Sequence, residues 1–170
     1  EGQDVIVGGE DFTVKGGSPN AAGLRKSVYT EDLAVKHKFP LVRLHEGGGG
    51  SVAGPSKEKK GYGGDPVFAR SRFKSVAQTL KEVPVVSAAL GPVAGLPASR
   101  FVGSHFRIMV KDNAQILVAG PAVVSRAFGK DFTKEELGGS DVHKKNGVTD
   151  NIAESEEDAF NQIKKFTIPF

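Results

Sequence analysis

The chain has 170 residues, 23 basic against 20 acidic, a net charge of +3 and a hydrophobic share of 38%. That length suits one domain with a sizeable core, and the composition excludes both a disordered tail and a polycation built for nucleic acid. With no cysteine, disulfides, thiolate nucleophiles and zinc–thiolate centres are excluded together.

In chain order, residues 4–7 and 11–14 read as two short strands joined by Gly8-Gly9-Glu10, a hairpin pattern. Gly16-Gly17-Ser18-Pro19-Asn20 then breaks the sheet, and residues 21–38 follow with helical spacing, Leu24 and Val28 on one face. Residues 40–45 form a second strand region. Residues 46–66 hold glycines at 47, 48, 49, 50, 54, 61, 63 and 64, and so long a loop in a compact domain usually serves a function. Residues 67–82 make the cleanest helix, with Ala69, Phe73, Val76, Ala77 and Leu80 recurring on one face.

Residues 84–90 read as a buried strand that Gly91 and Pro92 end sharply, and a helix is predicted to start near Gly95. Phe106, Ile108 and Val110 alternate as a strand, residues 115–118 form another, and a short helix covers 122–128. Thr133 and Glu136 have the capping-box spacing, and Ser155 caps a last helix carrying Ala159, Phe160, Ile163 and Phe166. Strands and helices alternate, so the class is α/β.

No membrane or nucleic-acid partner is expected. The longest apolar run, residues 83–96, falls short of the roughly 20 residues a bilayer span needs. The lysine pairs at 144–145 and 164–165 and the cluster at 57–60 have no series of stacking aromatics beside them. The chain opens on Glu1-Gly2-Gln3-Asp4, neither a methionine nor a signal peptide, and reads as a processed product or a piece of something larger.

Familiar catalytic motifs fail on context. Gly48-x-Gly50-x-x-Ala53 fits a dinucleotide fingerprint, but the helix that must follow is replaced by Pro55 and a polar, glycine-rich run. Ser51 as a nucleophile lacks the same helix. A P-loop is absent, because Val124 and Asp131 flank Gly129-Lys130 in the wrong way. His37, His45, His105 and His143 lie far apart, with no metal-ligand spacing, and read as surface or strand-end residues. Asp141 and His143 could pair, but nothing nearby marks a nucleophile. No metal site is predicted. Backbone chemistry has more support: Gly47–Gly50 and Gly91–Leu96 each put glycines at a strand end, where two N–H groups aimed at one point make an oxyanion hole. The alternative is that both are merely tight strand-to-helix turns.

The stretches "FPLVRLHEGGGGSV", "VPVVSAALGPVAGLPASRFVGSHFRIMV", "QILVAGPAVV" and "GKDFTKEELGGSDVHKKNGVTDNIAESEEDAF", with "EDFTVKGGS" near the start, resemble the carboxyltransferase (β) subunits of biotin-dependent acyl-CoA carboxylases, the propionyl-CoA and methylcrotonyl-CoA enzymes among them. The resemblance runs essentially end to end. It implies a crotonase-like fold, a spiral of ββα units, and a mechanism in which carboxybiotin on a carrier domain releases CO₂ beside the acyl-CoA. The biotin nitrogen takes the α-proton, and backbone amides hold the thioester enolate that attacks CO₂.

Carried over by position, the amides of Gly49 and Gly50 would form one side of the oxyanion hole and those of Gly95 and Leu96 the other. Lys15, Gly16, Gly17 and Ser18 would run along CoA. Many members have Asp-Ser-Gly-Gly-Ala where this chain has Glu46 to Gly50, which leaves open by one residue the amide that faces the oxygen. Many have Gly-Gly where this chain has Gly95-Leu96. Family subunits also carry a preceding segment and a second carboxyltransferase domain, so residues 1–170 are expected to be the acyl-CoA half, an enzyme component that can be inactive apart from its partners. Those would be a biotin carboxylase or carrier subunit, the second carboxyltransferase domain or subunit, and further copies in a homo-oligomer, in the cytoplasm or mitochondrial matrix. The reading from a different class is a non-catalytic crotonase-like module that binds CoA esters or stabilises an assembly.

Overall fold

The computed structural model describes residues 2–18, 21–49 and 71–170. Gly50 and the loop and helix start expected over 51–70 lie outside the described residues. Among the described residues six strands form one sheet in which every ladder is parallel: β1 (Ile6–Gly9), β2 (Leu41–Gly47), β3 (Val85–Ala94), β4 (Phe106–Val110), β5 (Gln115–Leu117) and β6 (Asn151–Ala153). The order across the sheet is β1-β2-β3-β4-β6, with β5 pairing the far end of β3. The helices are α1 (Ala21–His37), α2 (Arg72–Glu82), α3 (Leu96–Val102), α4 (Pro121–Phe128), α5 (Lys134–Gly138), α6 (Ser140–Asn146) and α7 (Glu156–Thr167). No helix among the described residues is long and apolar enough to cross a membrane.

The α/β class is therefore observed, but the hairpin at the start is not. Asp11 accepts hydrogen bonds from the Thr13 N–H at 2.9 Å and, through its carbonyl, from the Val14 N–H at 3.1 Å. That local capping turns the chain instead of extending it, and β1 pairs in parallel with β2. A second correction concerns β3, which runs through Gly91 and Pro92 to Ala94. Between the pairs His45/Ala89 and Gly47/Val93, β3 has three residues where β2 has one. The excess is a bulge that re-aims the strand, and beyond it β3 exchanges β4 for β5 as neighbour. A side chain at position 91 would strike that of Glu46.

One face of the sheet is dry. Val42, Val86, Ala88 and Ile108 pack with Ala159 and Ile163 of α7, and Phe106 stacks on Phe166 at 5.2 Å. The α7 start is capped as its sequence suggests, the Asp158 N–H donating to Ser155 Oγ at 3.1 Å. Thr133 and Glu136 complete the capping box of α5. Val76 of the second helix is buried as its spacing suggests, but Phe73, placed on the same face, is 66% exposed, and Ser75 and Thr79 are buried with Val76. The opposite face of the sheet is polar where α1 and α3 cover it, and it carries the site.

Candidate active site

Three glycine-containing segments meet at the C-terminal ends of β1, β2 and β3, the end where open α/β sheets receive ligands. The 3-10 turn Lys15–Gly17 lies against the end of β2: a Cβ on Gly17 (φ +70°) would stand 2.5 Å from Gly47 Cα and from the Glu46 carbonyl oxygen. On the other side, a Cβ on Gly49 would stand 3.0 Å from Gly95 Cα and 3.4 Å from Leu96 N. Backbones approach this closely only where side chains are absent.

The amides at this junction differ in what they already bond. Gly48 N–H donates to the Gly16 carbonyl at 3.0 Å, and Gly95 N–H donates to the Leu117 carbonyl at 3.2 Å, closing the β3–β5 ladder. Gly49 N–H and Leu96 N–H have no acceptor among the described residues. For Leu96 the reason is its place as the first residue of α3, since leading helical amides have no intrahelical acceptor.

Beside the junction a cleft of about 430 Å³ opens between α1 and α3 over β1 and β2. Gly17, Ser18, Leu24, Leu96 and Pro97 wall it, and Glu10, Arg43, His45 and Arg100 supply its polar side. Arg43 and His45 sit two apart on β2 and therefore share a face. Arg43 donates to Glu31 at 2.9 Å and to the carbonyls of Arg100 and Gly103, while Arg100 also pairs with Glu31. One buried carboxylate thus ties two guanidinium groups together across α1, β2 and α3. Burial, and the Arg100 charge beside it, push the Arg43 guanidinium down to about 10 against the pull of Glu31, so it stays charged at neutral pH.

His45 is 1% exposed, which corrects its reading as a surface or strand-end residue. Its Nδ1 meets the Glu10 carboxylate at 3.0 Å and its Nε2 meets Ser87 Oγ at 3.3 Å. Burial pushes Glu10 up, but the hydrogen bond to His45 and the charges of His45 and Arg100 outweigh it and hold the carboxyl below its ordinary value. Glu10, His45 and Ser87 have the order of a nucleophilic triad, yet Ser87 is fully buried within β3 with its Oγ 2.7 Å from Ser104 Oγ, so no substrate reaches it. His143 is buried as well. It bonds the Ile116 carbonyl at 2.8 Å and Asn146, not Asp141. His105 accepts the Val85 N–H at 3.1 Å.

Of the residues singled out by sequence, Gly49, Gly95 and Leu96 are brought into one neighbourhood, and Gly17 and Ser18 line the cleft beside them. Gly16 contributes a carbonyl to Gly48, and Lys15 is exposed. Sequence reasoning missed Glu10, Glu31, Arg43, His45 and Arg100. The signal for two of them is visible in Leu41-Val-Arg-Leu-His45, where two polar residues recur with the period of a strand inside an otherwise apolar run. A second hollow, of about 490 Å³, lies on the other side of the first turn of α3 and is walled by Gly95, Ala98, Ser99 and Leu117.

A family model described as the carboxyl transferase domain matches residues 1–169. The chain is 32% identical over 165 residues to the methylmalonyl-CoA decarboxylase subunit alpha of Veillonella parvula, covering 96% of this chain and 31% of that one. It is 31% identical over 166 residues to the mitochondrial propionyl-CoA carboxylase beta chain of Homo sapiens, covering 97% and 30%. Among solved structures, a single-chain, multi-domain long-chain acyl-CoA carboxylase superposes with a TM-score of 0.78 at 26% identity, over 95% of this chain and 15% of that one. The transcarboxylase 12S hexamer with hydrolysed methylmalonyl-CoA bound gives a TM-score of 0.73 at 26% identity, over 94% and 31%. The chain spans 29–32% of the length of the first curated relatives it matches.

Proposed function

The chain belongs to the carboxyl transferase domain family, and we propose that it is the acyl-CoA half of an enzyme moving a carboxyl group to or from the α carbon of a CoA thioester. The observation that carries this reading is the pair of amides, Gly49 and Leu96, that have no acceptor among the described residues, on backbones that touch at the rim of a cleft. A thioester carbonyl set against both N–H groups becomes more negative as the α carbon loses its proton or its carboxyl group. Donors fixed where charge develops bind the enolate more tightly than the ground state, and each is typically worth about 10²–10³ in rate. Carboxylation and decarboxylation pass through the same enolate, so one amide pair serves both directions.

Within this reading Gly95 supplies the turn and Leu96 the donor. Gly50, the other candidate after β2, adjoins Gly49 in sequence. Lys15, Gly16, Gly17 and Ser18 run along CoA, with Gly17 and Ser18 in the cleft and Lys15 an exposed cation for phosphate. Biotin, carried by a partner subunit or domain, supplies or accepts the carboxyl group when bound. The hollow walled by Gly95, Ala98, Ile116 and Leu117 is largely apolar and lies at the far side of the same turn, where a bicyclic ring could be brought to it. The reading extends to a crotonase-like spiral, a second carboxyltransferase domain that completes the site, assembly into a homo-oligomer, and work in the cytoplasm or mitochondrial matrix.

The test is a titration of the chain in its native assembly with propionyl-CoA, using NADH as comparator. Saturable binding of propionyl-CoA alone is expected. Binding of NADH alone would overturn the proposal, and CoA-ester binding without turnover in the complete assembly would favour a non-catalytic CoA-binding module.

A further inference from the structure

Glu10 and His45 take no part in the chemistry proposed above, yet they stand directly behind the amide junction. Glu10 follows β1, and its N–H donates to the Leu44 carbonyl at 3.2 Å, so its backbone is fixed to β2. Its carboxylate accepts from His45 Nδ1 at 3.0 Å. His45 lies on β2 four residues ahead of Gly49. From its Nε2 the chain of hydrogen bonds continues to Ser87 Oγ at 3.3 Å, to Ser104 Oγ at 2.7 Å, and then to the Arg100 carbonyl, to which Ser104 donates at 3.1 Å. The imidazole also meets Phe101 edge-on, with ring centroids 6.2 Å apart. One polar chain therefore runs from the end of β1 through β2 and β3 into α3. Among the elements that it cross-links are β2, which Gly49 closely follows, and α3, which Leu96 begins.

We propose that Glu10 and His45 are positioning residues for the amide pair: Glu10 orients the His45 ring, and the ring fixes α3 against β2, setting the Leu96 N–H relative to that of Gly49. The inference rests on the functional reading above. Three features carry it. Nδ1 faces a carboxylate and so carries a hydrogen, and flipping the ring would set a C–H against that carboxylate. His45 and Ser87 are buried, so water does not compete for their bonds. The run Gly47–Gly49 has no side chains with which to anchor itself, so its place depends on what holds the strand just before it. A misplacement of about 1 Å in such a constellation costs on the order of 10² in rate.

The test uses the full chain in its native assembly with two ligands. Propionyl-CoA carries ¹³C at the thioester carbonyl, and S-propyl-CoA is the thioether that lacks this carbonyl. Two amide donors polarise the bound carbonyl and move its ¹³C resonance downfield, whereas the thioether reports binding alone. In His45→Leu, thioether affinity is expected to stay within about twofold of wild type while the carbonyl shift is lost. His45→Gln, whose longer amide reaches the place of Nε2 and keeps a bond to Ser87, should recover part of the shift. Glu10→Gln removes only the charge, should give a reduced shift at unchanged thioether affinity, and covers the case in which His45→Leu fails to fold. A carbonyl shifted alike in wild type and all three variants would overturn the inference and leave the functional reading standing. Equal losses of affinity for thioether and thioester would mark a purely structural role and overturn it too. A wild-type chain that binds neither ligand, or binds both without a shift, would overturn the functional reading and this inference with it.

Discussion

A Cβ on Gly49 would meet Ala94 O and Gly95 Cα at 3.0 Å, and because both atoms belong to the backbone, the turn itself would have to give way by a few tenths of an ångström. Gly49→Ala is expected to force the two turns apart, lowering stability by about 1–3 kcal/mol. It should also slow carboxyl transfer by the folded protein, which thermal melts run beside turnover would separate. Glu10 makes a prediction about acid. Its folded pKa lies below the ordinary value of 4.5, so its contribution to stability is present above that value and is lost as pH falls through the depressed one. Urea midpoints measured over a series of acidic pH values should fall less steeply in Glu10→Gln than in wild type, and parallel curves would contradict the assignment. At this scale the sequence was informative about glycines and silent about carboxylates. Gly95 and Leu96 stand directly after a legible strand, whereas Glu10 and Glu31 reach Arg43 and His45 only through folding.

The elements around the site are joined by buried charge. Glu31 of α1, Arg43 of β2 and Arg100 of α3 form one cluster in which Glu31 and Arg43 are nearly solvent-free. Removing one partner leaves the others uncompensated in a low-dielectric setting. Arg43→Leu is therefore expected to cost about 3–5 kcal/mol, read as a denaturant midpoint shift at constant slope. The exposed pair Lys38–Glu82, 2.7 Å apart, offers a control, and Lys38→Ala should leave that midpoint where it is. Most strand and helix positions from β1 to β5 could be read from periodicity, with two instructive failures. Residues 11–14 have strand-like composition, but Asp11 caps its own backbone and turns the chain. Gly91-Pro92 has the composition of a stop, yet the strand absorbs it as a bulge because β5 waits beyond to pair with it. The helix α6 and the strand β6 were also missed. Each is short, seven and three residues, too brief for a periodic signal to rise above its neighbours.

For the molecule as a whole, sheet and site answer to one arrangement. Parallel strands end together, glycine turns let their ends touch, and α3 starts where the touching occurs. The α/β class is legible from alternation alone, while the chemistry is legible only in long matching stretches such as "TKEELGGSDVHKKNGVTDNIAE", because no side-chain motif would mark the proposed amide site. The proposed part of this chain is the acyl-CoA side, and its relatives are about three times as long. The central claim is that the Leu96 N–H holds the thioester oxygen as charge develops. Leu96 is the first residue of α3, a position that tolerates proline, so Leu96→Pro removes the donor without breaking the helix. The direct measurement is the rate at which a labelled carboxyl group reaches propionyl-CoA in the native assembly, for wild type, Leu96→Pro and Leu96→Ala. The account predicts a fall in kcat of about 10²–10³ for Leu96→Pro and near-normal turnover for Leu96→Ala, which keeps the amide. A folded Leu96→Pro protein working at the wild-type rate would contradict it.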